Sequence, residues 1–432
     1  MSEARLINLS ECAGRNRHEL RVRVLVSGLT VFDELERLFV RSSPVPDESE
    51  STTGAFIPAA VPGSQNASST MEVSTRMIRV LLIGPLPPPM GGDTRHFSTL
   101  AEDLDNHERF GVKLINTSRG QEHSDFVRNL SVALRTVLAI VANLRRVDVV
   151  SYHASDRGMF LFGPFIVGLS RLARTPTVLR VFGGSFGDFY QRQSAVRKTI
   201  IRKSILSSDV VLLQTRRAIQ QLEEQATGRL VWFSTYIRTV GRAGGHTRDE
   251  SRDGNGVCSR FVFLGHLWRT KGLETIFEAA PQLPGDTSID IYGPLDDYTA
   301  EQIRERGMGR VHYRGVLTHS QVDAKLWEYD CLVLPTYHPG EGYPGVIAEA
   351  FAHALPVITT RWMAIPEIVD EDCGILIEPN DTQAFVAAMT ALHIDRARWH
   401  RLKEGARIKA AQFDHAVWSR KFEEVCEQLV RN

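Results

Sequence analysis

Two carboxylates, Glu341 and Glu349, stand eight residues apart in the stretch Pro335-Thr336-Tyr337-His338-Pro339-Gly340-Glu341-Gly342-Tyr343-Pro344-Gly345-Val346-Ile347-Ala348-Glu349. The apolar run Cys331–Leu334 before it reads as a buried strand, and a helix-like segment follows through Ala354. The order strand, loop, helix sets both acids beside a helix N-terminus at the carboxyl end of a parallel strand. Ligands of open α/β sheets bind there, and the backbone N–H groups favour anions, phosphate above all. The acids could be a buried pair, hydrogen-bond acceptors for a ligand, or surface charges. Glu349 sits among Val346, Ile347, Ala350 and Phe351 and cannot avoid partial burial. A buried carboxylate needs a partner, for which a ribose diol is suitable.

Basic and glycine-rich segments supply what the acids lack. In Phe261-Val262-Phe263-Leu264-Gly265-His266-Leu267-Trp268-Arg269-Thr270-Lys271-Gly272 a strand ends at Gly265. His266, Arg269 and Lys271 follow it, able to neutralise a diphosphate or simply to cap a solvated helix. Gly91-Gly92 precede a helix that Asp93 or Thr94 could cap, and adjacent glycines admit a ligand close to the backbone; the plainer reading is a turn after four prolines. His153 ends a strand before Ala154-Ser155-Asp156-Arg157, as a site residue or a structural imidazole. Arg180 and Phe182 close the next strand ahead of Gly183-Gly184.

The elements that must position these residues alternate. Apolar runs at Ile78–Gly84, Val112–Ile115, Val147–His153, Thr177–Phe182 and Asp209–Leu213 are separated by helical patterns at Asp93–Leu104, Asp125–Arg146, Gly158–Ala173 and Gln191–Leu206. The alternation restarts at Phe261–Gly265 and continues through Ser288–Tyr292, Arg310–Tyr313, Cys331–Leu334, Val357–Thr359 and Gly374–Ile377. Such alternation predicts α/β domains with parallel sheets covered on both faces. Residues 1–76 are expected to be a disordered or non-native extension, since Ser42–Thr75 is rich in Ser, Pro, Thr and Ala. A first domain is expected over 77–240, a Gly/Arg/Asp/Ser linker over 241–257, a second domain over 258–413, and an amphipathic helix within 414–432. Two such domains face one another across a cleft.

Bulk properties narrow the partners. With 43% hydrophobic and 24% charged residues the chain has the balance of a soluble globular protein, and its zero net charge carries no nucleic-acid signature. The charge is uneven: residues 71–240 hold 23 Lys and Arg against 14 Asp and Glu. Within them Arg192, Arg197, Lys198, Arg202 and Lys203 alternate with Ile200, Ile201, Ile205 and Leu206. That pattern is a solvated helix over a core, or a surface for an anionic membrane. The five cysteines are scattered without a CxxC pair, which points to neither a zinc site nor a disulfide framework and makes a reducing cytoplasm the default. The longest strongly apolar run, Gly158–Ser170, is too short to span a bilayer and contains Pro164; the N-terminus has no signal-peptide order.

Taken together, these motifs resemble group 1 (family 4) glycosyltransferases of the GT-B fold, from about Ile78 to Val430. Glu341-x7-Glu349 matches the family's paired-glutamate signature, with Pro356-Val357-Ile358-Thr359-Thr360, Ile365-Pro366-Glu367-Ile368 and Gly374–Pro379 following in family order. Gly265-x5-Lys271-Gly272 resembles its diphosphate-binding strand end, Gly91-Gly92 its N-terminal glycine loop, and the last helix the one that crosses back to brace the N-terminal domain. The resemblance implies transfer of a sugar from a nucleotide-sugar to an acceptor hydroxyl, with retention of configuration and without a metal or other cofactor. It implies that Lys271 binds the diphosphate and Glu349 the ribose. Glu341 would hold the donor sugar and phosphate with the N–H groups of Gly342 and Tyr343. The expected setting is polysaccharide, lipopolysaccharide or glycolipid synthesis on a lipid-linked or saccharide acceptor, at the cytoplasmic face of the plasma membrane. Two other readings use the same cleft: a nucleotide-sugar epimerase and a catalytically silent nucleotide-sugar binder.

Three positions depart from the family pattern. His266 stands where Arg is usual, with Arg269 as the expected replacement; Phe182 stands where a His is frequent, with His153 expected to compensate as a catalytic group; and Ala354 stands where Gly is common.

Overall fold

The computed structural model describes residues 76–88, 91–118, 137–238 and 258–431. The expected N-terminal extension up to residue 75, the linker at 241–257 and most of the helix expected over Asp125–Arg146 lie outside these residues; 137–144 are helical.

Among the described residues twelve strands form two separate parallel sheets. The first holds β1 (Ile78–Gly84), β2 (Phe110–Asn116), β3 (Val149–Ser155), β4 (Thr177–Phe182), β5 (Val210–Leu213) and β6 (Arg229–Trp232), in the order β2-β1-β3-β4-β5-β6. The second holds β7 (Arg260–Leu264), β8 (Ser288–Tyr292), β9 (Val311–Tyr313), β10 (Cys331–Leu334), β11 (Val357–Thr360) and β12 (Gly374–Ile377), in the order β12-β11-β10-β7-β8-β9. In each sheet the chain builds outward to one side and then returns to the other. The order therefore reverses between β1 and β3 and between β7 and β10. Outside the carboxyl ends at such a reversal a crevice opens, because the flanking connections leave toward opposite faces.

The strands read as continuous apolar runs because helices cover both faces of each sheet. In β1, Leu81 and Ile83 face one layer while Val80 and Leu82 face the other, following the two-residue period. The first layer includes Met159, Ile166 and Val167 of helix α2 (Asp156–Ala173). The second includes Phe97 and Leu100 of helix α1 (Gly92–Asp105).

That second layer is completed from the far end of the chain. Helix α5 (His415–Arg431) lays Trp418, Phe422 and Val425 on it, at helical spacing. Each side chain of that size contributes about 1.5–3 kcal/mol on burial. Asp103 of α1 accepts from Ser419, and Ile237 and Phe413 are joined through their backbones. The last helix thus belongs to the first sheet's core although it follows the second domain in sequence.

One expected helix is broken. In place of Gln191–Leu206 there is a short helix ending at Gln191 and then helix α3 (Ala195–Lys203). Ser194 intervenes as an extended N-cap residue, and side chains of this type compete with helical hydrogen bonding and favour a cap.

Candidate functional site

The β10 loop enters helix α4 (Gly345–Ala352) behind Pro344, whose fixed φ suits a helix start. It is pinned from both sides of the sheet. Tyr337 N–H donates to the Thr270 carbonyl at 2.8 Å, Trp362 Nε1 donates to the His338 carbonyl at 2.8 Å, and Thr360 Oγ1 donates to the Thr336 carbonyl. Gly272 lets the β7 and β10 loops meet. Its φ is +86°, and a Cβ there would sit 2.0 Å from the Pro335 carbonyl oxygen.

This approach brings Lys271 onto Glu341. Lys271 Nζ donates to both carboxylate oxygens, at 2.7 and 3.0 Å, and Thr336 Oγ1 adds a third bond at 2.8 Å. The side chains are only 14% and 7% exposed, so water screens the pair weakly. The N–H groups of Gly342 and Tyr343 donate to no acceptor among the described residues. Amides left open at a helix start, beside a lysine, suit an anion.

Glu349 lies one turn into α4 and does not touch this pair. Its Oε1 accepts from Arg95 Nη1, which comes from α1 of the first sheet. Gly91 and Gly92 are exposed at the start of that helix, one turn ahead of Arg95, and Gly91 N–H donates to Thr94 Oγ1 at 2.9 Å.

Two further contacts join the halves. Gly184 packs so closely on the β10 loop that a Cβ there would stand 2.6 Å from Gly342 Cα. Glu367 accepts from the N–H groups of Arg216 and Arg217 at 2.7 and 2.9 Å, and from the Tyr343 hydroxyl. It thereby caps a helix of the other domain, where a carboxylate is favoured by the helix dipole. Burial, and then the neighbouring Glu367, raise the Tyr343 phenol above its ordinary range.

On the first domain's side of the cleft two acids lie at the carboxyl ends of β1 and β3. Burial pushes Asp93 up to about 6, against the pull of Arg180. Burial also pushes Asp156 up to about 6; the Ser185 hydroxyl opposes this, and the Asp93 and Asp188 carboxylates add to it.

Three expected site residues do not gather here. His153 is fully buried, its ring centroid 5.1 Å from that of Phe97 and 5.9 Å from that of Phe422, and Ser151 Oγ meets its Nε2 at 2.8 Å. Burial and then Arg180 push its pKa well below the ordinary value. The cause is register: Val149, Ser151 and His153 share the face of β3 that α1 and α5 cover, so the imidazole is a core group with no route to a substrate. Phe182 lies in the same layer, stacked with the buried Arg180. His266 turns away to Asp296, 3.1 Å from its Nδ1, and stacks on Trp268. Arg269 turns to Glu274 at 3.1 Å and lies over the Tyr298 ring, so it does not replace the missing arginine.

Sequence reading missed Arg95, Thr336, Asp93, Asp156 and Glu367. Thr336, beside a strand end, and Asp156, first in its helix, carried a positional signal. Arg95 carried none, because its partner is 254 positions away. Trp268 and His338 also meet here, 5.1 Å apart and stacked, with His338 Nδ1 2.9 Å from Thr270 Oγ1. Burial and the nearby Lys271 lower the His338 pKa, against the opposing pull of Glu341.

Residues 258–395 match the family model of the group 1 glycosyl transferases. The match lies within the second domain and covers about a third of the chain. It is 27% identical over 232 residues to TuaC of Bacillus subtilis (strain 168), a protein named for teichuronic acid biosynthesis glycosyltransferase; the match covers 51% of this chain and 56% of that one. It is 26% identical over 162 residues to the O-antigen chain mannosyltransferase C of Escherichia coli, covering 36% and 44%. The chain thus spans about half the length of the curated relatives it matches. Among solved structures, sucrose-phosphate synthase from Thermosynechococcus elongatus superposes with a TM-score of 0.62 at 16% identity, over 82% of this chain and 99% of that one. Anabaena HepE in complex with UDP-glucose gives 0.61 at 15%, over 81% and 100%. These structures share the GT-B architecture of two facing parallel-sheet domains. Among the described residues no group of His, Cys, Asp or Glu is arranged to hold a metal ion, and no helix is long and apolar enough to cross a membrane.

Proposed function

We propose that this chain is a group 1 glycosyltransferase that transfers a sugar from a nucleotide-sugar to an acceptor hydroxyl, with retention of configuration and without a metal ion, in the assembly of a polysaccharide or lipopolysaccharide-type glycan. The observation that carries the reading is the Lys271–Glu341–Thr336 cluster beside the open amides of Gly342 and Tyr343, at the reversal point of the second sheet. Breaking the bond between sugar and diphosphate leaves growing negative charge on the nucleotide. A lysine and amides fixed in advance stabilise that charge more than they stabilise the intact donor. Glu349 accepts from the ribose diol and Glu341 from the donor sugar. Asp93 and Asp156, across the cleft, offer oxygens to the acceptor's hydroxyls. The contacts of Gly184 with Gly342 and of Glu367 with Arg216 and Arg217 exclude water that would otherwise hydrolyse the donor.

The acceptor is a lipid-linked saccharide met at the cytoplasmic face of the plasma membrane. In support, Leu161, Phe165 and Leu172 form an exposed stripe on α2, and on the neighbouring α3 Val196 and Ile200 are exposed beside Arg197, Arg202 and Lys203. Basic and apolar groups on one surface suit an anionic bilayer.

A screen of UDP-, GDP-, ADP- and TDP-sugars against membrane lipid extract tests the proposal. One donor is expected to give a glycosylated lipid, with a steep loss on Glu349→Ala. Unchanged transfer by that variant would overturn the site assignment. Donor turned over to an epimer without acceptor would overturn transfer itself.

A further inference from the structure

We infer that Arg95 is the second cation of the diphosphate site, contributed by the opposite domain and parked on Glu349 until a nucleotide arrives. The inference rests on the nucleotide-sugar reading above and adds a residue to it.

The segment after β7 brings one cation to the β10 loop. A nucleotide-sugar diphosphate carries about two negative charges, and a leaving nucleoside diphosphate carries more. Of the three basic-capable side chains after β7, only Lys271 reaches the β10 loop. His266 is held by Asp296 and Trp268, and Arg269 by Glu274 and Tyr298. Lys271 is a single point charge that neutralises one of those negative charges.

Arg95 is placed to supply the other. It sits in the first turn of α1 directly behind the exposed Gly91-Gly92, and its side chain crosses the cleft to Glu349. Glu349 lies four residues inside α4, so the first residue of the helix is about 6 Å away along the axis, and the open amides of Gly342 and Tyr343 stand just ahead of it. The side chains of the pair are 22% and 14% exposed, a setting in which an uncompensated charge is expensive. Among the described residues only Nη1 of the guanidinium is engaged. Four of its five N–H groups therefore remain for phosphate oxygens, in the planar fork that binds two oxygens together.

The two ion pairs have the same logic. Without ligand, Glu341 holds Lys271 and Glu349 holds Arg95. A donor brings neutral hydroxyls for the carboxylates and an anion for the cations. Each pair can loosen without stranding a charge, which a nucleoside lacking phosphates could not achieve. Arg95 therefore makes the site select for a diphosphate and couples its occupancy to the approach of the domains.

The experiment compares wild type, Arg95→Gln, Arg95→Lys and Lys271→Met, with UDP, GDP, ADP and TDP measured by calorimetry and the matching nucleosides by competition. Arg95→Gln is expected to weaken the preferred diphosphate about 10–100-fold, the range of one lost charge-assisted contact. Nucleoside binding should hold or improve, because Glu349 is released. Arg95→Lys should fall between, since it keeps the charge but loses the fork. The ratio of diphosphate to nucleoside affinity within each variant separates these effects from any loss of folded protein. Equal weakening of both ligands by Arg95→Gln would make Arg95 a mere tie between domains. Wild-type diphosphate affinity in Arg95→Gln, with loss in Lys271→Met, would overturn the role of Arg95 and leave the nucleotide-sugar reading standing. Binding of no diphosphate by wild type would overturn both.

Discussion

Lys271→Met should convert the best-buried ion pair of the cleft into a lone carboxylate. Methionine keeps the aliphatic stem of lysine, so packing changes little and the lost charge dominates. Among the described residues Glu341 then retains only the Thr336 hydroxyl, with 7% of its side chain exposed. Breaking buried pairs by removing one partner costs about 3–5 kcal/mol. The carboxyl can escape by taking a proton. For an isolated glutamate that costs about 3–4 kcal/mol at pH 7 and about 1 kcal/mol at pH 5. The destabilisation is therefore expected near 3 kcal/mol at pH 7, shrinking to about 1 kcal/mol at pH 5. Lys271→Met/Glu341→Gln should recover most of it at pH 7, because a neutral amide still accepts from Thr336. Urea unfolding of the second domain at both pH values measures the effect, and nucleotide binding is lost in parallel. A cost below about 1 kcal/mol at pH 7, or one that does not shrink toward pH 5, would show that Glu341 is solvated and the anchor reasoning wrong.

The acids across the cleft have the opposite dependence. Asp93 and Asp156 are held at about 6 when folded, above their ordinary value of 3.8, so their contribution to stability is complete below about pH 4 and disappears as pH rises through 6. Relative to wild type, Asp156→Asn should gain on the order of 2–3 kcal/mol between pH 4 and 7, measured by chemical unfolding across that window; a flat difference would contradict the burial argument. Ala354, two residues past the end of α4, has a φ of +53°, where L-residues are strained. Ala354→Gly should stabilise the second domain by about 0.5–1 kcal/mol after its extra chain entropy is counted, and a lower Tm would refute that. Arg202→Glu/Lys203→Glu should weaken sedimentation with phosphatidylglycerol vesicles at least about tenfold. Equal binding of wild type to neutral and anionic vesicles would remove the membrane from the proposal.

Much of the fold was legible because it rests on short-range rules. Thr177–Phe182 is the strand expected, and the other apolar runs differ from the strands mainly at their ends. Burial on both sheet faces removes the polar half of the strand alternation and leaves a run that is hard to mistake. The break at Ser194 was less visible, since the hydrophobic rhythm continues across it. His153 carried a signal that could have been used: Val149, Ser151 and His153 alternate with Val150, Tyr152 and Ala154, so a strand-end histidine faces either the core layer or the opposite one. Which layer is closed over depends on α5, some 260 positions later.

By itself the sequence determined which residues could do chemistry and where each sits on its own element. Glu341 and Glu349 straddle a helix start because the seven residues between them place Pro344 directly before the helix and leave the backbone few alternatives. Lys271 follows a strand end, and Gly91-Gly92 precede a helix, for equally local reasons. The tertiary structure decided the pairing: Lys271 with Glu341 across 70 positions, Arg95 with Glu349 across 254, and His266 and Arg269 with acids of their own neighbourhood. Local conformation is chosen from a small menu of dihedral wells within a few residues. A charged side chain chooses its partner by competition among all groups that folding brings within a few ångströms. No window of sequence contains that competition, because it is settled only when two sheets and a returning helix close on one another.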